Sequence, residues 1–182
     1  ITVTDPQMAI DLAWMDSERT RVIRLDRLQS ESVYGRSVDP SIGFGVCLPP
    51  CPVTVVSNGY MTKKMLAMIQ ADNLLSGKEI GLIDLFKIPC NEDLLVTELR
   101  KASEIVVVQE HFEGCGLDSY VSYVLAKHST HRDLTFYGLP LDKGYCYQYG
   151  GREAILAYYG FTFDKIRDHI IKSHDIFALE SI

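Results

Sequence analysis

Glu110 and His111 are the adjacent pair best equipped to move a proton in this sequence. A carboxylate and an imidazole can each act as general acid or base, and imidazole titrates near neutral pH. Neighbours on an extended strand point to opposite faces, so the two need not act together. A hydrogen-bonded structural histidine is the competing reading. Just beyond them stand Gly114-Cys115-Gly116 and, three residues on, Ser119. Gly-x-Gly-x-x-Gly between a strand and a helix cradles a pyrophosphate on backbone N–H groups. Here Ser119 replaces the third glycine, and the next strand ends in Tyr137-Gly138, with no carboxylate for a ribose. A tight turn that lets a helix close on the sheet is the plainer role for these glycines.

Lys63 and Lys64 follow Asn58-Gly59 in the first turn of a predicted helix. The helix dipole disfavours cations there, and an anion at the helix start would resolve the conflict. Two solvated lysines, screened by salt, would also be tolerated. Asn58, Gly59, Lys63, Gly114 and Gly116 are therefore candidate anion or inter-domain contacts. Arg21 and Arg24 could meet an anion or close a salt-bridged strand end with Asp26 and Arg27. His128 and His131 have no third ligand nearby, and no metal site is expected from them. Cys47 and Cys51 flank Leu48-Pro49-Pro50 without forming a Cys-x-x-Cys pair, which suits two reduced thiols in a turn. Tyr145, Tyr147 and Tyr149 alternate before Gly150-Gly151 and suit a packed loop or an interface.

These residues need a scaffold, and the hydrophobic pattern supplies one. Ile105–Val108 is a β-branched run without polar alternation, as a strand buried on both faces requires, with Gln109-Glu110-His111 as its emerging tip. Leu117, Tyr120, Val121, Val124 and Leu125 then fall at helical spacing. Residues 53–57, 80–85 and 134–137 read as further strands. Two helices join them, one with Met61, Met65, Met68 and Ile69 on a single face, the other capped by Asn91 with Leu94, Leu95 and Leu99 inward. Residues 42–48, closed by Pro49, Pro50 and Pro52, fit an edge strand. The expectation is a three-layer α/β, Rossmann-like domain with a mostly parallel sheet and one antiparallel edge strand. The tail predicts a helix over 151–159 stopped by Gly160, then a last helix from Phe163 to about Lys172 that frays from Asp175. At the other end, Asp5-Pro6 opens a helix reaching about Glu18, and residues 21–25 read as a lone strand lacking a sheet of its own. Residues 28–40 are polar and aperiodic, as a linker would be.

Composition narrows the function. The 182 residues carry a net charge of −6 with scattered basic residues, which argues against a nucleic-acid surface. No apolar run approaches a membrane span, and five cysteines without a paired framework suit a reducing, cytoplasmic setting.

Several blocks, in order, resemble the C-terminal domain of transketolase-like, thiamine-diphosphate-dependent enzymes. They are Val53–Gly59, Ile83–Glu92, Val107–His111 with Gly114-x-Gly116-Leu117-x-Ser119, and Gly150–Ile166. Asp5–Arg27 resembles the last helix and strand of the preceding pyrimidine-binding domain. Gln109 and Cys115 depart from the family's usual residues. The resemblance implies a remnant of that domain over 1–27, a linker over 28–41 and the C-terminal domain over 42–182. It implies two-carbon ketol transfer between sugar phosphates in the parent enzyme. A deoxyxylulose-phosphate synthase and the β subunit of a 2-oxoacid dehydrogenase are same-superfamily alternatives. A free-standing nucleotide- or anion-binding module and a pure dimerisation domain are readings of other classes. The family holds magnesium and thiamine diphosphate through a Gly-Asp-Gly…Asn segment, and no such segment occurs here. The resemblance therefore implies that the chain alone binds no cofactor and is inactive. It would support a homodimer with the missing pyrimidine- and diphosphate-binding domains or subunits. The start at Ile1 then reads as a truncation or a separate subunit. No catalytic residue is expected on this reading, and Glu110 and His111 stay as the candidates if there is one.

Overall fold

The computed structural model describes residues 6–14, 20, 22–24, 32–34, 38–75, 77–140, 142, 144–147 and 149–180. Their elements in chain order are α1 (Pro6–Trp14), β1 (Gly45–Leu48), β2 (Val53–Ser57), α2 (Tyr60–Ala71), β3 (Gly81–Asp84), α3 (Glu92–Leu99), β4 (Glu104–Phe112), α4 (Leu117–Lys127), β5 (Asp133–Leu139), α5 (Arg152–Tyr158) and α6 (Phe163–Glu180). One five-stranded sheet has the order β1-β3-β2-β4-β5. β1 runs antiparallel to β3, and the other pairings are parallel. This is the expected mostly parallel sheet with an antiparallel edge.

The absence of polar alternation in β2 and β4 follows from helices covering both faces. On one face Val56, Ile83, Ile105 and Val107 pack with Leu95, Leu99, Val121 and Val124 of α3 and α4. On the other, Val55, Leu82, Val106 and Val108 pack with Met61 and Met65 of α2, Leu156 of α5 and Ile166 and Ile170 of α6. Asn91 caps α3 as predicted, its side chain accepting from Leu94 N–H at 3.1 Å. Gly160 ends α5 with φ +74°, the left-handed value glycine adopts without steric cost. The Phe161 and Gly160 N–H groups then return to the carbonyls of Leu156 and Ala157, closing the helix end.

The structure corrects three expectations. Leu94 is 44% exposed, because an eight-residue helix turns only Leu95, Val96 and Leu99 inward. The last helix continues past Asp175 to Glu180; Ile171 and Phe177 pack on the core and Lys78 pairs with Asp175, which holds the final turns. β4 does not emerge at Gln109, which is buried; the strand continues to Phe112, paired with Leu139 beyond an irregularity. In the N-terminal segment, Met8 and Leu12 of α1 pack on Phe86. Arg24 makes a single β-bridge, while Asp5, residues 15–19, 21 and 25–27 and half of the proposed linker (28–31 and 35–37) lie outside the described residues.

Candidate functional site

In open α/β sheets, polar groups for chemistry gather beyond the carboxyl ends of the strands. Here three polar clusters stand there. The deepest is centred on Asp84, the last residue of β3 and fully buried. Its Oδ1 accepts from the Thr62 hydroxyl at 2.7 Å, and Thr62 shares a 2.9 Å hydrogen bond with Ser57 at the end of β2. Its Oδ2 accepts from the Tyr34 hydroxyl, and the Gly59 N–H also donates to the carboxylate. Burial raises the Asp84 pKa to about 6, against the opposing hydrogen bonds from Tyr34, Thr62 and Gly59. Burial and the nearby Asp84 carboxylate likewise push the Cys47 thiol up to about 12. Cys51 donates its S–H to the carbonyls of Val53 and Glu79. Both thiols are free, and burial, which raises the pKa of each, disfavours the reactive thiolate.

The second cluster is the glycine loop. Gly116 leaves no space for a side chain: a Cβ there would come within 2.6 Å of Gln109 Oε1 and 2.8 Å of His111 Cβ. The loop's N–H groups converge, as an anion site requires, but they converge on the chain's own carboxylate. Asp118 accepts from the N–H groups of Gly114 (2.5 Å), Gly116 (3.1 Å) and Ser119 (2.7 Å). Gln109 Oε1 accepts from the Asp118 N–H at 3.1 Å, and Ser119 Oγ donates to the Gly114 carbonyl at 2.7 Å. Burial raises the Asp118 pKa, but these hydrogen bonds outweigh it and hold the carboxyl below its ordinary value. The backbone donors a phosphate would use are already taken. This counts against a nucleotide at Gly114 and Gly116.

The third cluster takes in Glu110 and His111, and it separates them. Glu110 pairs with Arg152 at the start of α5 at 2.8 Å, and the Arg152 guanidinium lies 4.0 Å from the Tyr60 ring centroid. His111 instead meets Arg24 of the N-terminal segment, whose Nη1 donates to Nε2 at 3.3 Å. Burial first, and then the Arg24 charge, lower the His111 pKa, with Asp118 acting in the opposite sense. Lys64 pairs with Glu153 at 2.8 Å, so α5 supplies the carboxylate that the head of α2 needs. Lys63 is exposed. Tyr60 also donates its hydroxyl to Glu153.

Sequence reasoning found Glu110, His111 and the glycine loop but missed Asp84, Asp118, Tyr34 and Arg152. A lone carboxylate ending the apolar run Gly81–Asp84 was the available signal for the first. Asp118 follows a glycine pair inside a helix's first turn, which was a signal for self-capping. Nothing local marks Tyr34 or Arg152, whose partners lie 50 and 42 residues away.

The sheet order and the two helical layers define a three-layer α/β fold with a mostly parallel sheet and one antiparallel edge. No protein-family model and no curated protein matches the sequence. Among solved structures the chain is similar to a split-gene transketolase, described as an inactive β4 tetramer, with a TM-score of 0.62 and 26% identity. The match covers 84% of this chain and 48% of the other, so the chain spans about half the length of that protein.

Proposed function

We propose that this chain is the C-terminal domain of a thiamine-diphosphate-dependent, transketolase-like enzyme that moves a two-carbon ketol unit between sugar phosphates. The likeness to a split-gene transketolase over 84% of the chain carries this reading. On it, residues 1–27 end a pyrimidine-binding domain, 28–41 link, and 42–182 form the C-terminal domain. The contacts of Arg24 with His111 and of Tyr34 with Asp84 then become a seam between the two.

The residues present do not fit the cofactor. Among the described residues no three His, Cys, Asp or Glu side chains gather as a divalent cation needs. The glycine loop, whose N–H groups converge as a phosphate would need, is filled by Asp118. On this reading thiamine diphosphate and magnesium belong to partner domains or subunits, and this chain supports their assembly as a homodimer in the cytoplasm. The similar protein is described as inactive in its β4 form; this chain alone is expected to be inactive too.

Calorimetric titration of the chain with thiamine diphosphate and magnesium is expected to give no binding and no turnover. Ketol transfer should appear once a polypeptide carrying the Gly-Asp-Gly…Asn segment is added. Tight cofactor binding by this chain alone would overturn the assignment. Assaying the assembled enzyme with sugar phosphates against pyruvate or other 2-oxoacids separates ketol transfer from the deoxyxylulose-phosphate and 2-oxoacid dehydrogenase alternatives.

A further inference from the structure

At the opposite end of the sheet, the C-terminus of α3 and the turn into β5 enclose a cleft of about 530 Å³. It lies one length of β4, about 25 Å along the strand, from the glycine loop. Arg100, Lys101, Ser103, His131, Arg132 and Asp133 line it. Arg132 is held in place by two backbone carbonyls: Nη1 donates to His131 O at 2.6 Å and Nη2 to Arg100 O at 2.8 Å. Its Nε is buried without a hydrogen-bond partner. Carbonyl oxygens orient a guanidinium but leave its charge uncompensated. Neither Arg132 nor Arg100 enters an ion pair among the described residues, whereas Lys101 is matched by Glu98 at 2.6 Å. Asp133 offsets one of the two guanidinium charges. The second guanidinium charge is left over, on a chain whose net charge is −6.

We propose that this cleft binds a small phosphate monoester. A guanidinium fixed beforehand, with N–H groups still to spare, suits the planar, two-point recognition of a phosphate. Arg100 adds a second positive charge across the cleft, and Ser103 adds a hydroxyl. The volume falls in the range of small-molecule sites. The far placement makes the site independent of the ketol-transfer reading: it would modulate the assembly or hold the phosphate end of a metabolite, without touching the reacting atoms.

The test is thermal unfolding of the full chain at pH 7.5 with inorganic phosphate and with a pentose 5-phosphate, against potassium chloride at matched ionic strength. Both phosphates are expected to raise Tm saturably, and chloride is not. Arg100→Gln removes a side chain with no ion pair to lose, so it should fold normally and weaken binding about tenfold. Arg132→Lys keeps the charge but not the fork and should weaken it as much. A Tm rise no larger than that with chloride, or one unchanged in both variants, would overturn the proposal.

Discussion

Asp84→Asn should abolish a pH dependence that the fold builds into its own centre. Asp84 ionises near pH 3.8 in an unfolded chain and near 6 in the folded one, chiefly because it is fully buried. That difference is about two pKa units, or ~3 kcal/mol. The folded state holds the proton more tightly, so between pH 4 and 6 the unfolded chain is the more ionised. Stability from this group is therefore fully present below about pH 4, falls as pH rises to about 6, and stays flat above. The asparagine has no proton to lose. Relative to wild type, the variant should gain ~3 kcal/mol between pH 4 and pH 7.5. Its altered hydrogen bonds with Tyr34, Thr62 and Gly59 shift both ends of that range alike and drop out of the difference. Urea unfolding followed by far-UV circular dichroism at half-unit pH steps reads it directly. Wild-type and variant curves that stay parallel within ~0.5 kcal/mol would refute the reasoning. Tyr34→Phe supplies an internal check. The Tyr34 hydrogen bond lowers the Asp84 pKa, so its loss should move the upper end of the window to higher pH.

Four further outcomes follow from the same geometry. Gly116→Ala puts a methyl within 2.6 Å of Gln109 Oε1 and should cost about 1–3 kcal/mol in urea unfolding. Asp118→Ala strips three backbone N–H groups of their acceptor and should cost a similar ~1–3 kcal/mol, with faster hydrogen exchange confined to residues 114–119. In the assembled enzyme, His111→Ala should leave turnover within a few-fold of wild type; a large loss with assembly intact would make it catalytic. Cys115, the exposed thiol, should react with an alkylating reagent well before Cys47, whose pKa is pushed up to about 12; mass mapping of the first modified site decides it.

What the sequence disclosed depended on how local the cause was. The strands were legible because Val53–Val56 and Ile105–Val108 are unbroken β-branched runs, and burial on both faces leaves no other pattern. The Asn91 cap and the Gly160 stop were legible because each acts within five residues. Leu94 was misplaced because a two-turn helix has too few residues for its stripe to be read unambiguously. The length of α6 was missed because Lys78 and the core set it, not its own propensity. The polar partners were least legible. Glu110 and His111 stood out by type, but Arg152 and Arg24 reach them from elsewhere in the chain, and only the topology brings those residues together.

The glycine loop shows why a motif needs its surroundings before it is given a ligand. Its position, between a parallel strand and a helix, is where a phosphate would sit. Its N–H groups do converge, so the geometry is that of an anion site. Yet the helix that follows carries Asp118 in its first turn, where the dipole favours a negative charge, and that side chain takes the same donors. A carboxylate already tethered at this position competes with any free anion at a very high effective concentration. The loop is thereby committed to holding α4 against β4, and Gly116 is held to glycine by the closeness of Gln109 and His111 rather than by a ligand's approach. The same logic run in reverse directs attention to the cleft at Arg132. There the cation is oriented by neutral carbonyls, and among the described residues no carboxylate forms an ion pair with it.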